Sequence, residues 1–340
     1  MTTSIPRRQQ TLARAARVSG FGLFNGCDVT VEFCPADEGH GVVFERTDLS
    51  ESVLIPALIE NVVAQNRCTV ISRQGASVSV IEHVMAALAG LRVDNCLVRI
   101  DAPEPPAGDG SSQIFVEALL HAGIVQQHQL RRRIRVNEAL TYLESSLVGI
   151  AVQPAREGDY QIGFLLDYGP GPIPLQALNL AITPSTFFEQ LARSRTFVLQ
   201  TEVEQLRAAG LGRRAGPENV LVFTGEGVLE NSLRWPDECV RHKILDCVGD
   251  FALLGCDLEG HFTASRSGHR LNHEIIRQIQ RTCSPDASLA DSVPMKPISA
   301  PALLTDAASS PRSPHFGSSS SVHRTATLSA RSESTTQSPW

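Results

Sequence analysis

The chain has 340 residues, 42% of them hydrophobic, with a formal net charge of -6. That length suits one large core or, on ordinary domain sizes, two. The acidic balance, with a pI near 5.9, excludes the broad basic field of a dedicated nucleic-acid binder, and the local run Arg131-Arg132-Arg133 does not restore it.

Residues 1 to 10 are polar and basic and run into Thr11-Leu12-Ala13-Arg14 with no continuous apolar stretch. Neither a signal peptide nor a membrane span is expected, and the expected location is the cytoplasm, with peripheral proximity to a membrane left open. Val18 to Gly26 reads as a strand ending in a glycine-marked turn. Antiparallel strands are expected at Val29 to Phe33 and Val42 to Phe44, then a helix from Ser79 to Leu91 and a strand at Cys96 to Ile100. A proline-rich turn and a second helix, about Ser112 to Ala122, close this half. A similar order returns after Arg133: strands at Val148 to Val152 and Gln161 to Leu166, helices at Thr186 to Ala192 and Pro236 to Leu254, and a strand at Gly260 to Ala264.

This weak repeat predicts an α+β fold of two similar domains, each a β-sheet packed against two helices, with the site between them. The expected boundaries are 1 to 130 and 131 to 283. A βαβ unit inserted at about 198 to 227 carries Val198, Leu199, Val203, Leu206 and Leu211, which suit either a channel for a fatty chain or ordinary packing. Residues 284 to 340 are rich in Ser, Pro, Ala and Thr without apolar periodicity, and are expected to be a disordered tail. The eight cysteines include no Cys-x-x-Cys pair, so they are expected to be reduced and mostly small core residues. No Gly-x-x-x-x-Gly-Lys loop supports a phosphate-cradling cofactor site.

The pentad His242-Lys243-Ile244-Leu245-Asp246 places His242 and Asp246 four apart on one helix face, where both could grip one ion while a third ligand came from elsewhere. With His242 at zero, Asp246, Asp250 and Lys243 fall within about 40° to 100°, a polar column that would equally suit a face turned to water. Glu82-His83 has the same ambiguity. Ala86 and Ala89 leave open space beside Glu82, yet Ser79-x-x-Glu82 is also a capping-box pattern in which the carboxylate would only bind back to the Ser79 amide.

Taken together, several segments carry a resemblance. They are Arg46-Thr47-Asp48-Leu49, Ser77 to Leu91, Asp94-Asn95, Asp109-Gly110-Ser111, Ser194-Arg195-Thr196-Phe197, Val240 to Asp246 with Gly249-Asp250, and Ser267 to Asn272. Over roughly residues 9 to 280 the chain resembles the UDP-3-O-acyl-N-acetylglucosamine deacetylases, metal hydrolases of lipid A synthesis. The resemblance implies His83, His242 and Asp246 as ligands, normally of Zn2+ with Fe2+ also able to serve, and Glu82 as the base that takes a proton from water. It implies Thr196 for the oxyanion, a protonated His269 for the leaving amine, and Asp250 to keep His269 charged. Lys243 and Phe197 would meet the UDP-linked acylated glucosamine; protein partners are unspecified. Two departures stand out: Phe24 where relatives carry a histidine, and Ala215-Gly216 where a Gly-Gly pair is common. They motivate one alternative, a paralogue acting on another N-acyl sugar; a second alternative is a non-catalytic sugar-nucleotide-binding protein whose Ser-rich tail recruits a partner.

Overall fold

A computed structural model describes residues 6 to 283, so the expected tail at 284 to 340 lies outside the described residues. In the first half a five-stranded sheet runs in the order Ala16–Phe21, Asp28–Pro35, Cys96–Ile100, Val42–Arg46, Val53–Pro56. Its central strand, Cys96–Ile100, is antiparallel to Asp28–Pro35 and parallel to Val42–Arg46. Alternation places Val29, Val31 and Phe33 on one buried face, as the period of two requires. Helices α1 (Glu82–Gly90) and α2 (Gln113–Ala122) precede and follow the central strand.

The second half repeats this plan. Its order is Leu140–Leu143, Gly149–Gln153, Asp257–Ser265, Tyr160–Leu166, Gln176–Ala181, with Asp257–Ser265 central, antiparallel to Gly149–Gln153 and parallel to Tyr160–Leu166. The helices of this half are α3 (Pro184–Thr186), α4 (Gln200–Ala208), α5 (Glu238–Phe251) and α6 (His269–Thr282). Here α5 and α6 stand before and after the central strand as α1 and α2 do in the first half. The fold is therefore two similar α+β domains, and the weak repeat read from the sequence is a repeat of topology.

Each half also carries a small addition. In the first, strands Val62–Val63, Val70–Arg73 and Ala76–Ser79 form a three-stranded sheet. In the second, Phe197–Leu199 pairs parallel with Leu221–Thr224 across α4, a βαβ unit.

The structure adds one helix, corrects another and settles two alternatives. Helix α6 was not anticipated, although Leu271, Ile275, Ile276 and Ile279 form its buried stripe; the expected helix at 186 to 192 is a single α-turn continued by a π-turn at Phe187–Leu191. The polar column of α5 does not face water, because α5 packs against α1 and buries His242, Asp246 and Asp250 to 2% exposure or less. Finally, Ser79 caps nothing: its N–H and hydroxyl both donate to the Pro103 carbonyl, at 2.9 and 3.1 Å.

The buried cysteines match expectation, six of the eight being buried and all free. Among the described residues no helix is long and apolar enough to cross a membrane.

Candidate active site

Between the strand Ala76–Ser79 and α1, Val80 adopts a left-handed conformation with φ 57°. For a β-branched residue that is strained, costing on the order of 1–3 kcal/mol. The turn it makes delivers Glu82 and His83 into the seam between α1 and α5, where both are buried. Across the seam stand His242 and Asp246, one turn apart on α5. The Nε2 atoms of His83 and His242 lie 3.8 and 3.4 Å from Asp246 Oδ1. One ligand-capable atom from each of the three residues falls within 4.8 Å of the others.

This set fits a metal ion on three counts. Asp246 Oδ1 is buried and accepts no hydrogen bond, a costly state for a carboxylate oxygen unless a cation meets it. The Ser194 carbonyl, 3.1 Å from His242 Nδ1, assigns the proton to that nitrogen and leaves Nε2 as a donor of electrons. Burial then pushes both imidazoles toward the neutral, ligating form: His83 falls to about 3, with the neighbouring His242 adding to the effect, and His242 is lowered too. Asp246 is held ionised despite burial, with the Lys243 ammonium beside it. Lys243 donates to Asp246 Oδ2 at 2.6 Å, so its ammonium serves this carboxylate in the structure.

A second cluster adjoins the first. Glu82 Oε2 accepts from the Thr69 N–H at 3.0 Å, while Oε1 stands 3.8 Å from His269 Nε2, too far for a hydrogen bond. Burial pushes the Glu82 carboxyl up to about 7; the charge of His269 opposes this, and Asp246 and Asp250 add to it. His269 Nδ1 lies 2.8 Å from Asp250 Oδ2. Burial alone would lower the His269 pKa, but Asp250 and Glu82 outweigh it and push it up to about 9. Asp250 stays well below the usual carboxylate range in spite of burial, through His269 and His273.

The wall beside His242 is aromatic. Phe197 sits 6.1 Å from the His242 ring, 6.2 Å from Phe223 and 5.8 Å from Tyr168, each near edge-to-face. Thr196 is fixed by its backbone, donating to Gly110 O at 2.7 Å and accepting from Leu221 at 2.9 Å. Gly110 permits this approach: its φ is +85°, and a Cβ there would lie 2.3 Å from Asn219 O.

The family model for LpxC, UDP-3-O-acyl N-acetylglycosamine deacetylase, matches residues 9–281. The chain belongs to this family. A UDP-3-O-acyl-N-acetylglucosamine deacetylase of Myxococcus xanthus (strain DK1622) is 38% identical over 289 residues, covering 85% of this chain and 90% of the relative. Proteins of the same name from Geobacter sp. (strain M21) and Actinobacillus pleuropneumoniae serotype 3 (strain JL03) are 40% and 36% identical, each over 80% of this chain and 88% and 90% of their own length.

Within this deacetylase fold the residues singled out from sequence fall into one region. His83, His242, Asp246 and Lys243 meet at one point, and Glu82, His269 and Asp250 at the next, with Phe197 on the His242 ring. Thr196 is tied to them through the chain, two residues after Ser194. Three participants were not foreseen: Thr69, which touches Glu82, Asp250 and both nearby histidines; His273, 3.5 Å from Asp250 Oδ1; and Tyr168. His273 could have been found, since it lies four residues after His269 on one helix face. Thr69 has no local signal, because its neighbours come from elsewhere in the chain.

Proposed function

We propose that this chain removes the N-acetyl group of UDP-3-O-acyl-N-acetylglucosamine, giving acetate and UDP-3-O-acyl-glucosamine for lipid A biosynthesis, as a zinc-dependent amidohydrolase of the cytoplasm. The observation that carries the reading is Asp246 Oδ1, buried without a hydrogen bond between two neutral imidazoles and beside the Glu82–His269 pair. His83, His242 and Asp246 would hold the ion; their two nitrogens and one oxygen suit Zn2+, and Fe2+ is compatible with the same donors. When bound, the ion supplies a Lewis acid and an easily deprotonated water.

The chain's own groups divide the remaining work. Thr69 N–H occupies Glu82 Oε2, so Oε1 is the atom that takes the proton of the attacking water. As the new C–O bond forms, the Thr196 hydroxyl donates to the oxyanion. His269 donates its Nδ1–H to Asp250, which leaves the Nε2 proton for the glucosamine nitrogen as the C–N bond breaks. Asp250 keeps that imidazole charged. Phe197 and Lys243 meet the substrate, the ring as an apolar wall and the ammonium near the sugar or diphosphate. Val203 and Leu206 support an acyl passage, since α4 buries none of its residues.

The domain boundary is proposed between residues 130 and 131. Strand Ile124–Leu130 closes back on Arg8–Leu12, whereas Arg133–Arg135 joins the central strand of the second sheet. The deciding experiment is a mass-spectrometric assay of acetate release with purified protein, a chelated sample restored with zinc, and Glu82→Ala. Zinc-restored turnover that Glu82→Ala lacks supports the reading; a metal-loaded protein inert on this substrate refutes it.

A further inference from the structure

Asp250 is fully buried and is surrounded by donors from two parts of the chain, α6 and Thr69. Its Oδ2 accepts from His269 Nδ1 and Asn272 Nδ2, both at 2.8 Å, on α6. Its Oδ1 accepts from the Thr69 hydroxyl at 2.5 Å, with His273 Nε2 at 3.5 Å. Thr69 belongs to the other half of the molecule, just before the strand Val70–Arg73 of the added three-stranded sheet. It is 0% exposed, and its backbone N–H is already committed to Glu82.

A threonine hydroxyl has one hydrogen to give and lone pairs to receive. Ionised Asp250 only accepts, so the hydrogen goes to Oδ1. His273 Nε2, 3.0 Å from Thr69 Oγ1, then acts as the donor into that oxygen and holds the hydroxyl in its orientation. The result is a directed chain from His273 to Thr69 to Asp250 Oδ1, the oxygen that His269 does not use, with Thr69 Oγ1 itself 3.3 Å from His269 Nδ1. A buried carboxylate gripped on both oxygens does not rotate, and a loss of one grip leaves an unsatisfied lone pair in a dry site.

We infer that the Thr69 hydroxyl, oriented by His273, is a positioning group for the Asp250–His269 pair. This rests on the deacetylase reading, in which His269 delivers the proton to the leaving amine. Thr69 and His273 do not touch substrate; they act through the carboxylate.

The test uses full-length, metal-loaded protein, four single variants at Thr69 and His273, one double variant, and His269→Gln for assignment. Thr69→Val keeps the volume and the N–H on Glu82 but removes the hydroxyl; Thr69→Ser keeps the hydroxyl. His273→Leu removes the donor into Oγ1; His273→Gln can restore it through its amide. Outer partners that orient metal ligands are worth about 10- to 100-fold in activity, and the same scale is expected for a group that orients the Asp250–His269 pair. We expect Thr69→Val to lower kcat about tenfold with KM and bound metal unchanged, and Thr69→Ser to stay within about twofold of the parent. The Thr69→Val and His273→Leu losses should not multiply in the double variant, because both act through one hydroxyl. Independent of turnover, the downfield imidazole N–H proton of His269, assigned by its loss in His269→Gln, should weaken in Thr69→Val and return in Thr69→Ser. Should Thr69→Val fail to fold, the His273→Leu and His273→Gln pair carries the same comparison.

An active parent with Thr69→Val equally active, or with multiplicative losses in the double variant, overturns this inference alone. An inert metal-loaded parent overturns the deacetylase reading and takes the inference with it.

Discussion

Gly249 on α5 lies directly against the carbonyl of Glu82 on α1: a Cβ at residue 249 would stand 2.1 Å from Glu82 O and 3.1 Å from Ala86 N. Both near atoms are backbone, so no side chain can swing aside. The site exists only because the two helices come this close, His83 being the next residue on one and Asp246 three residues earlier on the other.

Gly249→Ala therefore tests the seam. Alanine would favour an isolated helix by about 1 kcal/mol, but overpacking here forces the helices apart at a cost of about 1–3 kcal/mol or more. The expected outcome is a lower Tm and a loss of metal affinity larger than the loss of stability alone would bring. A variant with parental Tm and metal affinity would show that the helices separate freely.

Glu82→Gln preserves shape and the Oε2 acceptor for Thr69 while removing the base. Turnover should fall on the order of 10²-fold or more, with metal content unchanged by elemental analysis. Retained turnover would reduce Glu82 to a structural carboxylate.

His242→Ala and Asp246→Ala should each lose metal and activity together, since each removes one of the three proposed donors. Metal content per chain, measured by inductively coupled plasma mass spectrometry, decides this. Full occupancy in both variants would remove the assignment.

The His269 pKa, raised to about 9, sets a pH dependence whose sign can be worked out. Burial lowers it, but Asp250, hydrogen-bonded at Nδ1, and Glu82, facing Nε2, prevail. A group with its folded pKa above the unfolded value, about 6.5, contributes stability that is complete below about 6.5 and is lost as pH rises through about 9. In the proposed mechanism, the proton for the leaving amine disappears over the same upper range. The kcat/KM profile should therefore fall on its basic side near 9, and Asp250→Asn should move that fall to lower pH. A basic limb that Asp250→Asn leaves in place would assign it to another group.

Arg195 and Glu238 form a buried ion pair at 2.8 Å, exposed by 7% and 0% at the side chain. It ties the start of α5 to the segment whose Ser194 carbonyl holds His242. Glu238→Ala leaves a buried guanidinium without its carboxylate, a loss of about 3–5 kcal/mol for pairs of this kind. Chemical denaturation should report it, and a change under about 1 kcal/mol would show that Asn231 and the Ser232 carbonyl suffice for Arg195.

Much of the site was legible because its parts are local. The four-residue spacing of His242 and Asp246 and the adjacency of Glu82 and His83 survive in any helix that forms there. The apolar positions of α1 and α5 announce those helices, and the spacing of Leu271, Ile275, Ile276 and Ile279 marks α6 in the same way. The capping-box reading of Ser79 failed for a non-local reason: Pro103, 24 residues on, supplies a carbonyl that takes both Ser79 donors.

The α+β class, the repeat, the helices that carry the proposed ligands and the residue types able to hold an ion follow from the order of residues alone, because propensity, periodicity and spacing act over a few residues. Packing is what buries the polar column of α5, leaves Asp246 Oδ1 without a hydrogen bond, and closes Thr69 and His273 on Asp250. Those outcomes depend on desolvation and on contacts between atoms far apart in the chain, and such contacts exist only once α1, α5 and α6 have packed.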